Sequence, residues 1–231
     1  MNRREFLPLV GAGVVAGVAG FQGGRTTPVP GPRSAQVSLR RARYDDDLAE
    51  WILKSFEEHD VDLSGARVLL KPHLSTPFRS THPAVVAAAY AAAEQMGATH
   101  VSIGDAWNAD AYQLAEAAGY RSRIPNFDDV WVNLAADDVT AVEGFLNRGE
   151  VFLPDTVVKA DLVVSLGKLR TDGHYEVSGV ITNLFGLLPK GVYGSPEGIH
   201  PLGTAAAASE LVRVFRRSFA IVDAIVGVDG T

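Results

Sequence analysis

Short apolar runs alternate with segments of helical periodicity along most of this chain. An alanine-rich stretch, for example, begins with Pro83 and stops at Gly97, which is how helices commonly begin and end. The alternation predicts strands at 67–71, 101–104, 130–134, 162–166 and 219–226, an edge strand at 151–153, and helices at 44–60, 83–96, 110–118, 179–188 and 204–217.

Strands that alternate with helices predict a parallel sheet. Such a sheet is covered on both faces, because each crossover connection places a helix against it. We therefore expect an α/β fold in three layers, with a mostly parallel sheet, helices on both faces and a single domain over residues 36–231. A hydrophobic share of 47% and a charged share of 21% fit a globular domain of this kind.

Charge and cysteine content exclude several classes of partner and cofactor. The formal net charge is −6 and no long run of like charges occurs, so we expect no nucleic-acid partner. The chain has no cysteine, which excludes disulfides, thiolate metal ligands and an iron–sulfur cluster held by this chain. The cofactor is otherwise unknown, and a metal would need His, Asp, Glu or Asn ligands.

The first 35 residues are predicted to lie outside the fold. Arg3-Arg4 precede an apolar, Gly/Ala-rich stretch over 9–21 and a Pro/Gly-rich linker, a pattern typical of a twin-arginine export signal. The alternative is a fortuitously basic N-terminus on a disordered tail. The apolar stretch is shorter than the roughly 20 residues of a membrane span. We therefore expect a periplasmic or otherwise extracytoplasmic protein, with membrane contact only if the signal stays uncleaved.

Polar side chains follow the predicted strands at the points where the strands end. Because the carboxyl ends of parallel strands meet at one edge of a sheet, these side chains should converge there. An asparagine in the apolar helix pattern at 179–188 joins them, since a buried amide needs hydrogen-bond partners. The set consists of Lys71, His73, Asp105, Lys168, Arg170, His174, Asn183 and Asp223.

An anion site is the first chemistry that this set suggests. Basic side chains neutralise an anion, an amide orients it, and imidazole or carboxylate groups at the same edge transfer protons. The candidate ligand-binding residues are Lys71, Lys168, Arg170 and Asn183. The candidate catalytic residues are His73, Asp105 and His174.

A divalent metal is the alternative, because imidazole and carboxylate groups are common metal ligands. The candidate metal ligands are His73, Asp105, His174 and Asp223. Each polar residue also has a purely structural interpretation. A lysine stem can pack on the sheet, Asp105 can cap the helix that follows it, and the Asp172-Gly173 turn can simply expose His174. The sequence leaves these interpretations open.

Several blocks resemble domain-of-unknown-function family 362, and the resemblance runs from about residue 61 to the end of the chain. The blocks are 68–73, 81–83, 103–105, 160–171, 183–186 and 221–223. The chain departs from the family pattern at three places. It has His73 where the family has Asn, Asp172 where the family has His, and Thr182 where the family has Lys.

The resemblance implies an uncharacterised bacterial or archaeal protein, some of whose relatives carry a ferredoxin-like iron–sulfur module. The family pattern continues beyond Thr231, so we expect this sequence to lack a C-terminal part. Two functions are expected from different classes. One is an exported binding protein or enzyme for a small anionic ligand or a divalent metal. The other is a non-catalytic accessory protein that docks to a redox partner in the periplasm.

Overall fold

The computed structural model describes residues 36–107, 110–145, 149–173, 176–194, 204–215 and 217–229. Its strands are β1 (Arg67–Pro72), β2 (His100–Asp105), β3 (Trp131–Asn133), β4 (Val139–Phe145), β5 (Gly149–Pro154), β6 (Leu162–Asp172), β7 (Glu176–Ser178) and β8 (Ser218–Val228). Its helices are α1 (Leu48–Glu58), α2 (Pro83–Gln95), α3 (Ala111–Ala117), α4 (Phe127–Val130), α5 (Asp155–Lys159), α6 (Val180–Asn183), α7 (Lys190–Tyr193) and α8 (Thr204–Val214). Turns of 3-10 helix occur at Pro77–Arg79 and Leu184–Leu187.

The main sheet is mostly parallel. Its order is β3-β2-β1-β6-β8, and each of these neighbouring pairs runs parallel. β7 runs antiparallel to the last three residues of β6, beyond the point where β1 has ended. The predicted mostly parallel α/β architecture is therefore confirmed, and the short β7 is the strand that departs from it.

Apolar side chains cover both faces of the main sheet. On one face, Phe56 of α1 and Val86 of α2 share a buried cluster with Leu70 of β1. On the other, Leu69 of β1 lies in a second buried cluster with Leu211 of α8. Successive residues of a strand point to opposite faces, so neighbouring leucines of β1 belong to different layers. The two clusters give the molecule its three layers.

β4 and β5 form a separate antiparallel pair, and this corrects one prediction. The segment 151–153 was expected at an edge of the main sheet, whereas it lies in β5. Val151 and Leu153 are buried against the α8 side of the core, and Phe152 between them is exposed. The partner β4 is exposed along most of its length. Phe145 at its end is the buried residue of β4, and the other positions show no regular apolar alternation, which is why β4 was not predicted.

Helix α2 begins and ends as its sequence predicts. Nδ1 of His82 accepts a hydrogen bond from the backbone N–H of Ala84 at 3.2 Å, and Pro83 occupies the first turn. The chain leaves the helix through Gly97, whose φ of +85° favours glycine. Within the described ranges, the structure contains no helix long and apolar enough to cross a membrane.

Candidate functional site

Lys71 and Asp105 form a buried ion pair at the carboxyl ends of β1 and β2. Nζ of Lys71 lies 2.9 Å from Oδ2 of Asp105, and the two side chains are 1% and 2% exposed. The ammonium also donates to the carbonyl oxygen of Pro72 at 2.6 Å and to Oδ1 of Asn183 at 3.1 Å. An ammonium group has three N–H donors. These three acceptors therefore engage all the donors of Lys71 within the protein.

Asn183 connects the ion pair to β6. Its Nδ2 donates to the carbonyl oxygen of Lys71 at 2.7 Å and to Oγ of Ser165 at 3.1 Å. Ser165 in turn donates to the carbonyl oxygen of Val180 at 2.8 Å. The buried amide that the sequence singled out thus fixes α6 to the ends of β1 and β6, and its partners are protein groups.

Gly186 marks the closest approach of the chain to this ion pair. A Cβ atom at this position would overlap Cε of Lys71 and lie 2.8 Å from Oδ2 of Asp105. The carbonyl oxygen of Gly186 accepts a hydrogen bond from the backbone N–H of Ala106 at 2.6 Å. The glycine therefore leaves room for the ion pair while the backbone holds the end of β2 in place.

A cavity of about 230 Å³ opens beside the ion pair, and we name it the strand-end cavity. Its walls combine charged, hydroxyl, imidazole, amide and apolar groups. The lining residues on which the chemistry depends are Lys71, His73, Asp105, Trp107, Arg170, Ser178, Thr182, Asn183, Leu74 and Phe185. Residues that follow β1 and β2, together with the end of β6 and the start of α6, therefore contribute to one site.

Arg170 is the cation of this cavity that retains a free donor. Its Nη2 lies 2.9 Å from Oδ2 of Asp172, and the two side chains are 24% and 10% exposed. Its Nε is buried and has no hydrogen-bond partner in the part of the chain that the structure describes. A buried N–H without an acceptor costs free energy. An oxyanion in the cavity would supply the missing acceptor.

His73 lines the same cavity on the segment that leaves β1. Its backbone N–H donates to the carbonyl oxygen of Leu166 and to Oγ1 of Thr81, each at 3.0 Å. Burial of the imidazole, together with the positive charges of Lys71 and Arg170, lowers the pKa of His73 from 6.5 to about 3. The ring is therefore neutral at pH 7 and offers one donor and one acceptor nitrogen.

Lys168 belongs to a second polar cluster, which we name the Lys168 network. Nζ of Lys168 lies 2.9 Å from Oδ2 of Asp223 and 2.8 Å from the hydroxyl of Tyr44. The Tyr44 hydroxyl donates to Oδ1 of Asp223 at 2.9 Å, and the backbone N–H of His82 donates to Oδ2 at 2.9 Å. The Tyr44 and His82 rings stack with centroids 3.6 Å apart. Asp223 thus accepts three hydrogen bonds and neutralises Lys168.

The protonation of Tyr44 fits its place in the Lys168 network. Burial of the phenol, reinforced by the negative charge of Asp223, raises the pKa of Tyr44. The hydroxyl therefore stays protonated at neutral pH and donates a hydrogen bond to the Asp223 carboxylate. Burial also lowers the pKa of His82, so its Nδ1 remains an acceptor for the start of α2.

Strand pleating separates the Lys168 network from the strand-end cavity. Lys71 is opposite Ser165 in the parallel register of β1 and β6, and Lys168 follows Ser165 by three positions. Side chains an odd number of positions apart along a strand point to opposite faces. Lys168 and Asp223 therefore face the α1 side of the sheet, outside the cavity. The strand register shifts between Lys168 and Arg170, and Arg170 lies on the cavity side again. The expected convergence does bring Lys71 and Asp105 together, at the ends of β1 and β2.

The candidate metal ligands are divided in the same way. His73 and Asp105 line the strand-end cavity, whereas Asp223 belongs to the Lys168 network. His174 lies outside the described residues. Among the residues that the structure does describe, no group of three or more His, Cys, Asp or Glu side chains is placed to hold a metal ion.

Several residues of the two clusters were not predicted from the sequence. Trp107 follows Asp105 by two positions, so the strand-end argument that selected Asp105 extends to it. Ser178 precedes α6 and Thr182 lies within it, next to Asn183. They could be assigned to the cavity only once the structure showed that α6 packs against β6. Tyr44 had no local signal, because its partner Asp223 is 179 positions away.

These features define an α/β protein with a polar cavity at the carboxyl edge of a parallel sheet, beside a buried Lys–Asp pair. The family model described as Domain of unknown function (DUF362) matches residues 68–231, and the chain belongs to that family. Searches of the curated proteins and of the solved structures find no match to this chain. The matched region includes the lining residues of the cavity, whereas Tyr44 and α1 precede it.

Proposed function

We propose that the strand-end cavity binds a small anion through Arg170. The observation that carries the proposal is the buried Nε of Arg170, which has no acceptor among the described residues. Lys71 has three acceptors within the protein, and Lys168 lies outside the cavity lining. Each has an aspartate oxygen 2.9 Å from its ammonium nitrogen, so each neutralises a charge inside the protein.

The groups beside Arg170 also include one that can exchange a proton, the imidazole of His73. Hydroxyls of Ser178 and Thr182, 2.6 Å apart, line the cavity with Arg170 and His73. An anion beside a neutral imidazole favours the imidazolium form, because opposite charges attract at short range. The pKa of His73, about 3 in the structure, therefore rises when an anion binds. The occupied cavity holds an anion and an acid–base group together, which is the arrangement that proton-transfer chemistry needs.

Arg170→Gln tests the anion site. Formate, acetate, benzoate and inorganic phosphate are titrated separately, and thermal unfolding is compared with chloride at equal ionic strength. We expect at least one of these anions to raise the Tm of the wild-type protein, because a ligand that binds only the folded state stabilises it. The gain should disappear in Arg170→Gln, which keeps a side chain of similar length but loses the positive charge.

Arg43→Gln is the matched control, since it also removes an arginine from an Arg–Asp pair, here an exposed pair with Asp45 at 2.9 Å. This variant should respond to the anions as the wild-type protein does. An undiminished gain in Arg170→Gln would contradict the assignment to Arg170. The absence of any gain in the wild-type protein would contradict the anion site altogether.

We further propose export by the twin-arginine route, on the strength of Arg3-Arg4 and the apolar stretch that follows. Replacing both residues with lysine keeps the charge, and we expect it to hold the protein in the cytoplasm of its native host. Cell fractionation followed by immunoblotting measures this. The control replaces the adjacent pair Arg40-Arg41 with lysine in the same way. Equal extracytoplasmic fractions of wild type and Arg3→Lys/Arg4→Lys would refute this route.

A further inference from the structure

We infer that the anion bound in the strand-end cavity is a small aromatic monocarboxylate. This inference rests on the proposed function and makes it more specific. The cavity has two chemically different sets of lining residues. Arg170 and His73 supply polar groups for a carboxylate, whereas Leu74, Trp107 and Phe185 supply apolar surface. A ligand that uses both sets must itself carry an anionic group and an apolar body.

The volume of the cavity matches a ring with one substituent. An apolar cavity of about 150 Å³ holds benzene. The strand-end cavity measures about 230 Å³, so it has room for a six-membered ring and a carboxylate group. Formate or acetate alone would leave much of the apolar surface in contact with water. Contact of that surface with a ligand is favourable in proportion to the area removed from water.

The fixed charges around the cavity disfavour a ligand with two negative charges. Lys71 is paired with Asp105, and Arg170 is paired with Asp172, so these four charges cancel in pairs. His73 is neutral at pH 7, because its pKa is about 3. A phosphate dianion would bring two negative charges close to Asp105 and Asp172, which already neutralise Lys71 and Arg170. A monocarboxylate brings one charge and two acceptor oxygens to the free Nε of Arg170.

Trp107 supplies the aromatic surface, and the protein holds it in place. Its backbone N–H donates to Oδ1 of Asp105 at 2.8 Å, and Nζ of Lys190 lies over the indole ring, 5.8 Å from its centroid. The first contact fixes the backbone, and the second is a cation–π interaction. A flat ring can then stack against the indole or meet it edge-on, which adds to the energy of simple burial.

Isothermal titration calorimetry with benzoate, acetate and inorganic phosphate tests the assignment. We expect benzoate to bind the wild-type protein at least about tenfold more tightly than acetate, because the ring adds buried apolar area and an aromatic contact. Phosphate should bind less tightly than benzoate. Trp107→Leu should lower benzoate affinity about tenfold and leave acetate affinity unchanged, whereas Trp107→Phe, which keeps an aromatic ring, should retain most of the benzoate affinity.

Trp51→Leu is the matched control, because Trp51 belongs to α1 and packs against the core on the other face of the sheet. It should bind all three probes as the wild-type protein does. If Trp107→Leu does not fold, tryptophan fluorescence tests whether benzoate contacts Trp107. Benzoate should quench the fluorescence of the wild-type protein and should not quench that of Trp107→Phe. Unchanged quenching in Trp107→Phe overturns the role of Trp107.

The outcomes separate this inference from the proposed function. Equal affinities for benzoate and acetate, both lost in Arg170→Gln, overturn the aromatic ligand class and leave the anion site intact. Tighter binding of phosphate than of benzoate would likewise overturn the aromatic ligand class and leave the anion site intact. The absence of binding by any probe, in calorimetry and in thermal unfolding, overturns both proposals.

Discussion

Replacing Asp105 with alanine is expected to lower the free energy of unfolding by about 3–5 kcal/mol, because it leaves a buried ammonium without its counter-charge. The Lys71 side chain is 1% exposed, so its ammonium depends on protein groups for most of its stabilisation. Guanidinium chloride unfolding followed by far-ultraviolet circular dichroism measures the loss. Glu50→Ala is the control, since it removes an ion pair with Lys54 in which both side chains are 52% exposed.

The control should cost less than about 1 kcal/mol, as exposed ion pairs usually do. The double variant Lys71→Met/Asp105→Leu should recover most of the loss, because apolar side chains of similar volume often replace a buried ion pair at little cost. A small effect of Asp105→Ala, similar to that of Glu50→Ala, would show that the ion pair is not closed off from water as the structure indicates.

Replacing Asp223 with alanine should have an effect of similar size, about 3–5 kcal/mol, on the other face of the sheet. Three donors lose their acceptor at once: the ammonium of Lys168, the hydroxyl of Tyr44 and the backbone N–H of His82. Tyr44→Phe removes a single hydroxyl and should cost only about 1–3 kcal/mol, the penalty of leaving one buried polar group without its partner. Chemical unfolding of both variants gives the comparison.

Asp45→Ala is the matched control for this pair of variants, since Asp45 forms an exposed ion pair with Arg43 at 2.9 Å. Its effect should stay below about 1 kcal/mol. If Tyr44→Phe were as damaging as Asp223→Ala, the hydroxyl rather than the carboxylate would be the centre of the Lys168 network.

The cations at the strand ends are paired with aspartates, so they are not three free positive charges for a ligand. The sequence offered Lys71, Lys168 and Arg170 as three positive charges for a ligand. In the structure each has an aspartate partner at 2.9 Å, and the buried Nε of Arg170 has no acceptor among the described residues. An ammonium can be fully engaged by three acceptors, whereas a guanidinium has five N–H donors and can hold an internal partner and a ligand together.

The fold class followed from the sequence because its signal is local. The apolar run at 162–166 became the buried first half of β6, and the Pro83 and Gly97 boundaries became the limits of α2. Strand and helix periodicities depend on a few neighbouring residues, so a single segment is enough to recognise them. The alternation of these segments then fixes a parallel sheet, because parallel strands need crossover connections.

The composition of each cluster was decided only by the tertiary structure. Tyr44 and Asp223 are 179 positions apart, and Lys168 and Asp223 are 55 apart, so no local pattern relates them. Sequence position placed Lys71 and Lys168 at the same edge of the sheet but did not give the register that puts them on opposite faces. Register depends on which strands pair and at which residues. The pairing of β1 with β2 and of β6 with β8 therefore determined that Lys71 meets Asp105 and that Lys168 meets Asp223.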